Sequence, residues 1–507
     1  MLINRKFILT AAVALALGAS SCRKFMDVNT NPNISQTVTV KTLLPAAQLY
    51  LGSSVGVDLQ IIGSIWSQYW TQTPVASQYV VFEQYSPGQD QFSTAWRDLY
   101  SGAENFYQLY NLADSQKKKQ YKAIALLMQA YTFQLITDGW GDAPFKQSLK
   151  AQYTNGHMVN PMYDSQKVVY SGILAYLDSA NKLINAADPI APTSEDLIYG
   201  GDMTKWKKFS NTLRLKILLR MAYIDPAGTQ KKINAFYTSN PVFIGEGDDA
   251  KISYGYNSAN KSPLYAEFSS TALAGVQNLG GSKTCIDSMN SNNDYRENVF
   301  YEPGPGITQS RYDISFPGGS YAIPNVYVAG DVQNGLSANA PVNLLSSWES
   351  FFLQAEVAAR KWGNAPGNDA NFFYQGIKAS FDYYGSAISA TTGITADSAY
   401  RLYVNGDLSV PAAPGHWAVY PVGAVQDTLI KFIITQKWFA MCGNQAFEAW
   451  TEWRRTGYPD FLVHPVNSRI GSNRPKRFLY PTSESTVNAN FPGVKPLTNN
   501  VWWCTQP

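Results

Sequence analysis

Histidine and cysteine are scarce in this chain, which contains only 3 His and 4 Cys among 507 residues. The histidines His157, His416 and His464 stand alone, without an HExxH motif or a second His one helical turn away. A CxxC pair is also missing, so the sequence offers none of the ligand spacings that zinc sites use. These absences exclude a zinc enzyme and a small disulfide-rich domain, and we predict no metal site from these residues.

Charge is sparse and nearly balanced. Charged residues make up 15% of the chain, and 40 Lys and Arg against 37 Asp and Glu give a net charge of +3. Nucleic-acid-binding proteins usually show a strong basic excess, so this class is disfavoured. Beyond the N-terminal segment no run of 18 apolar residues occurs, and a membrane-spanning helix is not predicted there. With 45% hydrophobic residues the chain is too apolar to be disordered.

The N-terminus carries an export signal. Arg5 and Lys6 precede a mostly apolar stretch at 7–19, which ends in small residues directly before Cys22. Thirteen residues are too short to span a bilayer core of about 30 Å. The string LGASSC resembles a bacterial lipobox, so we predict a lipoprotein signal peptide at 1–21 and lipidation of Cys22. Several acyl chains would anchor the protein to a membrane through a polar tether at 22–40.

Three cysteines remain after lipidation: Cys285, Cys442 and Cys504. An odd number of thiols in an exported protein cannot all pair within one chain. Cys442 lies in an apolar helical stretch, which favours a small core residue.

Helical periodicity dominates the rest of the chain. Apolar residues step by three and four along Tyr121, Ile124, Met128, Tyr131 and Leu135, which places them on one helix face. Similar stripes recur, and the helices group into consecutive pairs. The predicted pairs are 94–113 with 117–137, 163–187 with 203–223, 344–362 with 369–386, and 427–441 with 444–455. Helix pairs that bury their apolar faces only by stacking are typical of tetratricopeptide-like folds, although no clean 34-residue repeat is visible.

These patterns predict a mainly α protein whose body, residues 41–507, is a single domain. Its degenerate helical-pair scaffold covers about 94–240 and 343–455. Between them, 241–342 is dense in Gly, Pro, Asn and Tyr, which favours loops and short β hairpins. Loops on a rigid scaffold commonly carry binding sites, so we place the ligand-binding region there.

Motifs that suggest catalysis have more ordinary explanations. Gly52–Gly56 fits GxSxG, but both flanks are helical and no strand–turn–helix unit surrounds the serine. Asp138 and Asp142 could be a glycosidase pair, yet their spacing around Gly and Trp favours helix ends and a turn. We therefore predict no catalytic residues and no cofactor. A structural Ca²⁺ remains an open alternative at a cluster of oxygen-bearing side chains, namely Asp287, Asn290, Asn292, Asn293 and Asp294.

Aromatic residues are abundant, with 13 Trp, 32 Tyr and 24 Phe. Rings beside neutral amides suit the weakly apolar faces and hydroxyl edges of sugars, and suit extended peptides nearly as well. This pattern occurs where Gln68, Gln72, Gln78 and Gln84 are interspersed with rings. The predicted ligand-binding residues are Trp66, Tyr69, Trp70, Tyr79 and Tyr85, together with Tyr321 in the loop-rich segment. A place in the hydrophobic core is the alternative for each of them.

Several strings together resemble the SusD/RagB-type outer-membrane lipoproteins. They are RKFMDVNTNPN after Cys22, LITDGWGDAPF, PMYDSQKVVY, GGDMTKWKKFSNTLRLKILLRMA, SSWESFFLQAEVAARKWG, ITQKWFAMCGNQAFEAWTEWRRTGYP, RFLYPTSESTVN and a terminal VWW. Their order spans almost the whole mature chain. Physically these motifs look like scaffold, with ion pairs expected around Glu448, Arg454 and Arg455, so none of them transfers a binding residue.

The resemblance implies a non-catalytic protein at the cell surface. Members of the family capture oligosaccharides, sometimes peptides, and act as the lid of a SusC-like TonB-dependent transporter in the outer membrane. Peptide binding by the same lid mechanism is therefore the first alternative. A surface hydrolase and a purely structural surface protein are weaker ones, because the sequence supplies no catalytic constellation.

Overall fold

The computed structural model describes ten stretches of the chain: residues 38–151, 159–184, 191–255, 260–268, 277–308, 321–325, 327–328, 338–363, 367–406 and 416–505. The signal peptide, Cys22, His157 and nearly all of the tether lie outside these residues. Among the residues described, no helix has both the length and the apolar character needed to cross a membrane.

Helices form most of the described structure, and they follow the apolar periodicity of the sequence. They are α1 Val40–Ser54, α2 Gln60–Trp66, α3 Val80–Glu83, α4 Ser93–Ser115, α5 Lys119–Trp140, α6 Gln166–Ile184, α7 Met203–Arg220, α8 Pro226–Tyr237, α9 Pro263–Phe268, α10 Lys283–Ser291, α11 Glu297–Phe300, α12 Ser347–Ala359, α13 Asp369–Tyr383, α14 Gly385–Thr392, α15 Ala396–Asn405, α16 Gln426–Ala440, α17 Ala446–Thr456 and α18 Thr482–Val487. The prediction of a mainly helical fold is confirmed.

Neighbouring helices pack in sequence order through the first half of the scaffold. Helix α4 packs against α5, α5 against α6, and α6 against α7, while α12 packs against α13. These contacts match the predicted pairs. The predicted pairing of 427–441 with 444–455 is wrong, because α17 lies mainly against α2 and meets α16 over only a few residues. Helix α2 comes from residues 60–66, outside the predicted helix pairs.

Local side-chain contacts explain several helix ends. Asp202 accepts hydrogen bonds from the backbone N–H groups of Thr204 (2.9 Å) and Lys205 (3.2 Å), as expected of an N-cap residue. Asp369 is the first helical residue of α13. Its carboxylate accepts a hydrogen bond of 2.8 Å from the hydroxyl of Tyr420 and so ties α13 to a distant loop.

Short strands join distant parts of the chain. The described strands are β1 Trp70–Gln72, β2 Ala143–Pro144, β3 Tyr163–Asp164, β4 Ala250–Ile252, β5 Leu279–Gly281 and β6 Val342–Leu345. They form antiparallel pairs β1–β5, β2–β3 and β4–β6. Within the described residues, β4 and β5 do not form a hairpin with each other. Strand β4 pairs with β6, which begins at the end of the loop-rich segment, and β5 pairs with β1. These pairings fasten the segment to the helical scaffold.

A network of buried charges lies where α5, α7, α12, α16 and α17 meet. Its carboxylates and cations are all less than a tenth exposed: Asp138, Glu349, Glu356, Glu448 and Glu452 with Lys216, Arg220, Arg360, Lys437, Arg454 and Arg455. The Lys216 ammonium lies 2.8 Å from Glu448 and 3.2 Å from Glu349. Arg220 lies 2.7 Å from Glu448 and 3.4 Å from Asp138. The ion pairs expected of Glu448 and Arg455 are present, whereas Arg454 donates hydrogen bonds to the Asp138 and Lys476 carbonyls. The network as a whole links five helices.

Mutual compensation keeps these groups ionised. Burial alone would raise the pKa of Glu448, but the charges of Lys216 and Arg220 outweigh burial and lower this pKa to about 2. Arg455 donates two parallel hydrogen bonds to Glu356, at 2.7 and 2.6 Å, the bidentate geometry that favours Arg over Lys. Removal of either partner would leave the other with a single counter-ion, Arg360 for Glu356 or Glu452 for Arg455.

We expect Arg455→Met to lower the free energy of unfolding by about 3–5 kcal/mol, because Glu356 loses its bidentate partner in the core. Urea titration followed by circular dichroism measures the change. The matched control is Arg401→Met on α15, whose ion pair with Asp397 is exposed and should contribute little. Equal stability of the two variants would contradict a structural role for the network.

Candidate ligand-binding site

Five of the six predicted ligand-binding rings belong to the core, which corrects the prediction that they face a ligand. Trp66, Tyr69, Trp70, Tyr79 and Tyr85 are each at most 6% exposed. The ring of Trp66 packs against Trp450 at 4.7 Å and Phe478 at 5.5 Å between centroids. Rings enclosed in this way have no face left for stacking on a ligand. Tyr321, the sixth, is partly exposed in the loop-rich segment.

The amides beside these rings also have structural partners. Gln68, which adopts a positive φ of 60°, donates a hydrogen bond to the Val463 carbonyl and accepts one from the Val463 N–H. Gln72 donates to the Asn278 carbonyl (2.8 Å) and accepts from the Tyr79 N–H (2.6 Å). The side-chain amides of Gln68 and Gln72 thus help to hold the chain between α2 and Tyr79 in place.

The residues that suggested catalysis have the ordinary roles expected of them. The GxSxG string spans the end of α1 and a π-helical turn at Val55–Leu59, so it lies within helical structure and not in a strand–turn–helix unit. Asp138 belongs to the buried charge network, where Gln134 (2.7 Å) and Trp503 (2.9 Å) donate to its carboxylate. Asp142 is exposed and accepts a hydrogen bond from the Gln166 N–H at the start of α6.

The oxygen-bearing cluster at 287–294 is engaged in other contacts. Asp294 pairs with buried Arg296 at 2.6 Å, and Asp287 pairs with Lys283 at 2.5 Å. The side-chain oxygen of Asn292 accepts a hydrogen bond from the Trp417 N–H. Across the described part of the chain, no group of three or more His, Cys, Asp or Glu residues is arranged to hold a metal ion. Calcium binding at this cluster stays an untested prediction.

A concave groove of about 510 Å³ lies along α4. We call it the α4 groove. Its lining residues come from α4, from the segments flanking β2 and β3, and from α18: Trp96, Arg97, Tyr100, Ser101, Glu104, Pro144, Ser148, Leu149, Ala151, Val159, Pro161, Ser483 and Glu484. Grooves of this volume are common ligand sites, particularly when they combine aromatic walls with a few polar groups.

Two of the family-like strings build the walls of this groove. LITDGWGDAPF supplies Pro144, whose carbonyl accepts a 2.8 Å hydrogen bond from the hydroxyl of Tyr100. RFLYPTSESTVN supplies Glu484, which accepts a 2.6 Å hydrogen bond from the hydroxyl of Tyr163. The two strings are joined by a 2.8 Å hydrogen bond from the Trp140 indole to the Leu479 carbonyl. Strings that looked like scaffold therefore also position the groove.

A second groove of about 250 Å³ continues along the same helix. It is lined by Tyr107, Gln129, Phe145, Lys146, Ser148, Leu149, Lys150 and Tyr176, so Ser148 and Leu149 border both grooves. Leu149 holds a positive φ of 64°, an unusual conformation for a branched side chain. Strained backbone of this kind occurs often at functional sites. Here the strained residue borders both grooves.

A series of packed aromatic rings links the two grooves; Trp96, Phe133 and Phe145 in this series are less than a tenth exposed, whereas Tyr100 and Tyr176 are partly exposed. Trp96 lies 4.7 Å from Tyr100, and Tyr100 lies 6.2 Å from Phe133 between ring centroids. Phe145 continues the series at 4.8 Å from Phe133, and Tyr176 follows at 5.5 Å. The series thus crosses from the wall of the first groove to that of the second.

Polar side chains of both charges surround the first groove. Arg97 is mostly exposed at the rim, and its hydrogen bond to Asp98 raises the pKa of its guanidinium. Ser101 and Glu104 follow on the same helix, one and two turns beyond Arg97. Burial, followed by the charge of Glu484, raises the pKa of the Tyr100 phenol, which stays a neutral donor at physiological pH. The site therefore offers flat apolar surfaces bordered by hydrogen-bonding groups.

A weak signal for this site exists in the sequence. Trp96, Tyr100 and Tyr107 follow each other at steps of four and seven, so they lie along one side of α4. The same spacing describes core stripes, including the buried positions Leu99 and Phe106 of this helix. Only packing from other segments distinguishes the two sides.

Comparison with known proteins places the chain in a family. Residues 32–481 match a family described as starch-binding, associating with outer membrane, under the name SusD-like. The chain belongs to the SusD-like family. No curated protein is similar enough in sequence to be matched.

Solved structures share the fold of this SusD-like chain. A SusD homologue from Bacteroides fragilis has a TM-score of 0.74 and 22% identity, covering 93% of this chain and 100% of its own. A chitin-binding SusD homologue from Flavobacterium johnsoniae has a TM-score of 0.71 and 22% identity, covering 92% and 99%. A SusD/RagB family protein from Bacteroides thetaiotaomicron has a TM-score of 0.73 and 20% identity, covering 93% and 100%.

We expect Trp66→Ala to destabilise the SusD-like fold by about 3–5 kcal/mol, since it removes a ring from the core. Tyr107→Ala, which removes a partly exposed ring from the second groove, should destabilise the fold much less. Urea denaturation of both variants measures the difference. Comparable losses would mean that the Tyr107 ring is also a core residue and would weaken its assignment to a binding surface.

Proposed function

We propose that the protein is a cell-surface lipoprotein that binds oligosaccharides in the α4 groove. The observation that supports this best is the set of partly exposed rings, Tyr100, Tyr107 and Tyr176, beside polar groups that line the two grooves. Its family is described as starch-binding, and two solved relatives are named as chitin-binding proteins. Family and groove chemistry thus favour the same class of ligand.

The groove suits sugar chemistry in two ways. Partly exposed rings such as Tyr100 and Tyr107 present apolar faces to the C–H surfaces of a pyranose. Ser101, Glu104 and Ser483 line the first groove and can exchange hydrogen bonds with sugar hydroxyl groups. Because the second groove extends the first along α4, the surface accommodates an extended oligomer better than a single sugar ring.

We further propose that acyl chains on Cys22 anchor the protein in the outer membrane, facing the cell exterior. There it would partner a SusC-like TonB-dependent transporter and act as its lid. Closure would be favoured if the captured ligand makes more contacts in the closed arrangement than in the open one. The export motif, the anchoring cysteine and the family's description as associating with the outer membrane support this assignment.

Binding without catalysis is part of the proposal. Asp138 is occupied by buried partners and Asp142 by the start of α6, so neither carboxylate is available for bond cleavage. Glu104 and Glu484 border the groove, but Glu484 already accepts a hydrogen bond from Tyr163. The partly exposed rings Tyr100, Tyr107 and Tyr176 hold a sugar by contact with its apolar faces, which requires no covalent step.

Filling the groove should abolish binding. We expect Ser101→Trp to weaken the affinity for the preferred oligosaccharide at least tenfold, because the indole occupies the space beside Tyr100, while Ser101→Ala, which removes only one hydroxyl, should weaken it much less. Titration calorimetry against oligosaccharide and peptide pools measures both variants and tests the peptide alternative. Binding that survives Ser101→Trp but is lost in Trp417→Ala, a partly exposed ring outside the groove, would move the site elsewhere.

The anchor and the partner can be tested together. The wild-type protein should incorporate a labelled fatty acid and co-isolate with a TonB-dependent transporter in mild detergent. Cys22→Ala should lose the label and the outer-membrane location. A wild-type protein that carries no fatty acid would contradict the anchor, and one that never co-isolates with a transporter would contradict the lid.

A further inference from the structure

Two buried thiols lie close together where the loop-rich segment meets the end of α16. Cys285 lies on α10, and Cys442 follows the end of α16, so a long stretch of chain separates them in sequence. Both are fully buried free thiols in the structure, and they are close enough to interact with each other. The hydroxyl of Tyr301 lies 3.3 Å from the Cys442 sulfur and also contacts Cys285.

Backbone contacts on both sides hold the thiols in place. The Tyr301 hydroxyl donates a 2.8 Å hydrogen bond to the Tyr69 carbonyl, which also accepts one of 3.0 Å from the Ser282 N–H. The hydroxyl of Tyr69 donates to the Trp438 carbonyl in α16. The start of α10 and the end of α16 are thus fixed through the same residue, and the proximity of the thiols follows from this arrangement.

We propose that Cys285 and Cys442 form a disulfide bond in the exported protein. The chemistry is thiol–disulfide exchange with a disulfide oxidant of the compartment in which the chain folds. One cysteine thiolate attacks the oxidant and releases its first thiol, and the second cysteine then attacks the mixed disulfide and releases the other. Two cysteine thiols are oxidised, one disulfide is reduced to two thiols, and the two protons pass to the departing sulfurs.

The third described cysteine does not compete for this bond. The thiol of Cys504 donates to the Arg454 carbonyl at 3.1 Å, in the region of the buried charge network. This pairing therefore leaves one thiol over, in agreement with the odd number of cysteines in the mature chain. The Cys285–Cys442 bond would close a loop that contains most of the loop-rich segment, α12 and α13.

Burial governs when the bond can form and how long it lasts. Thiols without solvent access react poorly in the folded protein, and burial raises the pKa of Cys285, which further suppresses the thiolate. Oxidation is therefore expected while the chain folds after export. Once enclosed, the bond should resist mild reductants until the protein unfolds.

Mass spectrometry tests the bond on the full chain isolated from the outer membrane. The protein is alkylated with iodoacetamide in denaturant without reductant and then digested. We expect a cross-linked peptide pair that contains Cys285 and Cys442, together with alkylated Cys504. Alkylated Cys285 and Cys442 in correctly localised protein would overturn the proposal, whereas recovery of the protein from the cytosol would instead contradict the proposed export.

A stability measurement provides an independent readout. Wild-type protein unfolded thermally with a strong reductant should melt several degrees lower than without it, since the bond restricts the unfolded chain. The Cys285→Ala/Cys442→Ala variant should melt at the same temperature in both conditions, and Cys504→Ser should behave as the wild type. If the double variant does not fold, the cross-link measurement on the wild type still decides.

Discussion

Buried charges of both signs, placed where α5, α7, α12, α16 and α17 meet, determine how the first and last parts of the scaffold fit together. Many of these charges have counter-ions on other helices, such as Lys216 between Glu349 and Glu448. A different arrangement of the helices would separate these buried ion pairs. Apolar packing alone would permit helices to slide or rotate, and the ion pairs remove that freedom.

The α4 groove depends indirectly on this arrangement of buried charges. Asp138 joins the charge network at the end of α5, and the chain that follows it forms β2 and one wall of the groove. The C-terminal segment that forms another wall is tied to the same turn by the Trp140 indole and by the Tyr480 hydroxyl, which donates to the Asp142 carbonyl. A rigid core thus holds the loops that face the proposed ligand.

The aromatic content of the chain serves two purposes that the sequence does not separate. One set of rings, including Trp66, Trp450 and Phe478, fills the core where α2, α17 and the C-terminal segment meet. Another set, from Trp96 to Tyr176, follows the grooves along α4. Both sets have helical spacing and neighbouring polar residues, which is why the first set resembled a binding surface.

Local pattern determined the positions of the long helices, because the periodicity of apolar residues depends only on neighbours three and four positions away. It also indicated the family, predicted an export signal and offered no convincing catalytic motif. Exposure was decided by tertiary structure alone. Trp66 is covered by rings almost four hundred residues later in the chain, and Tyr107 is left partly open, yet nothing within a few residues of either distinguishes them. The same limit applies to Cys285 and Cys442, whose meeting depends on contacts between distant segments.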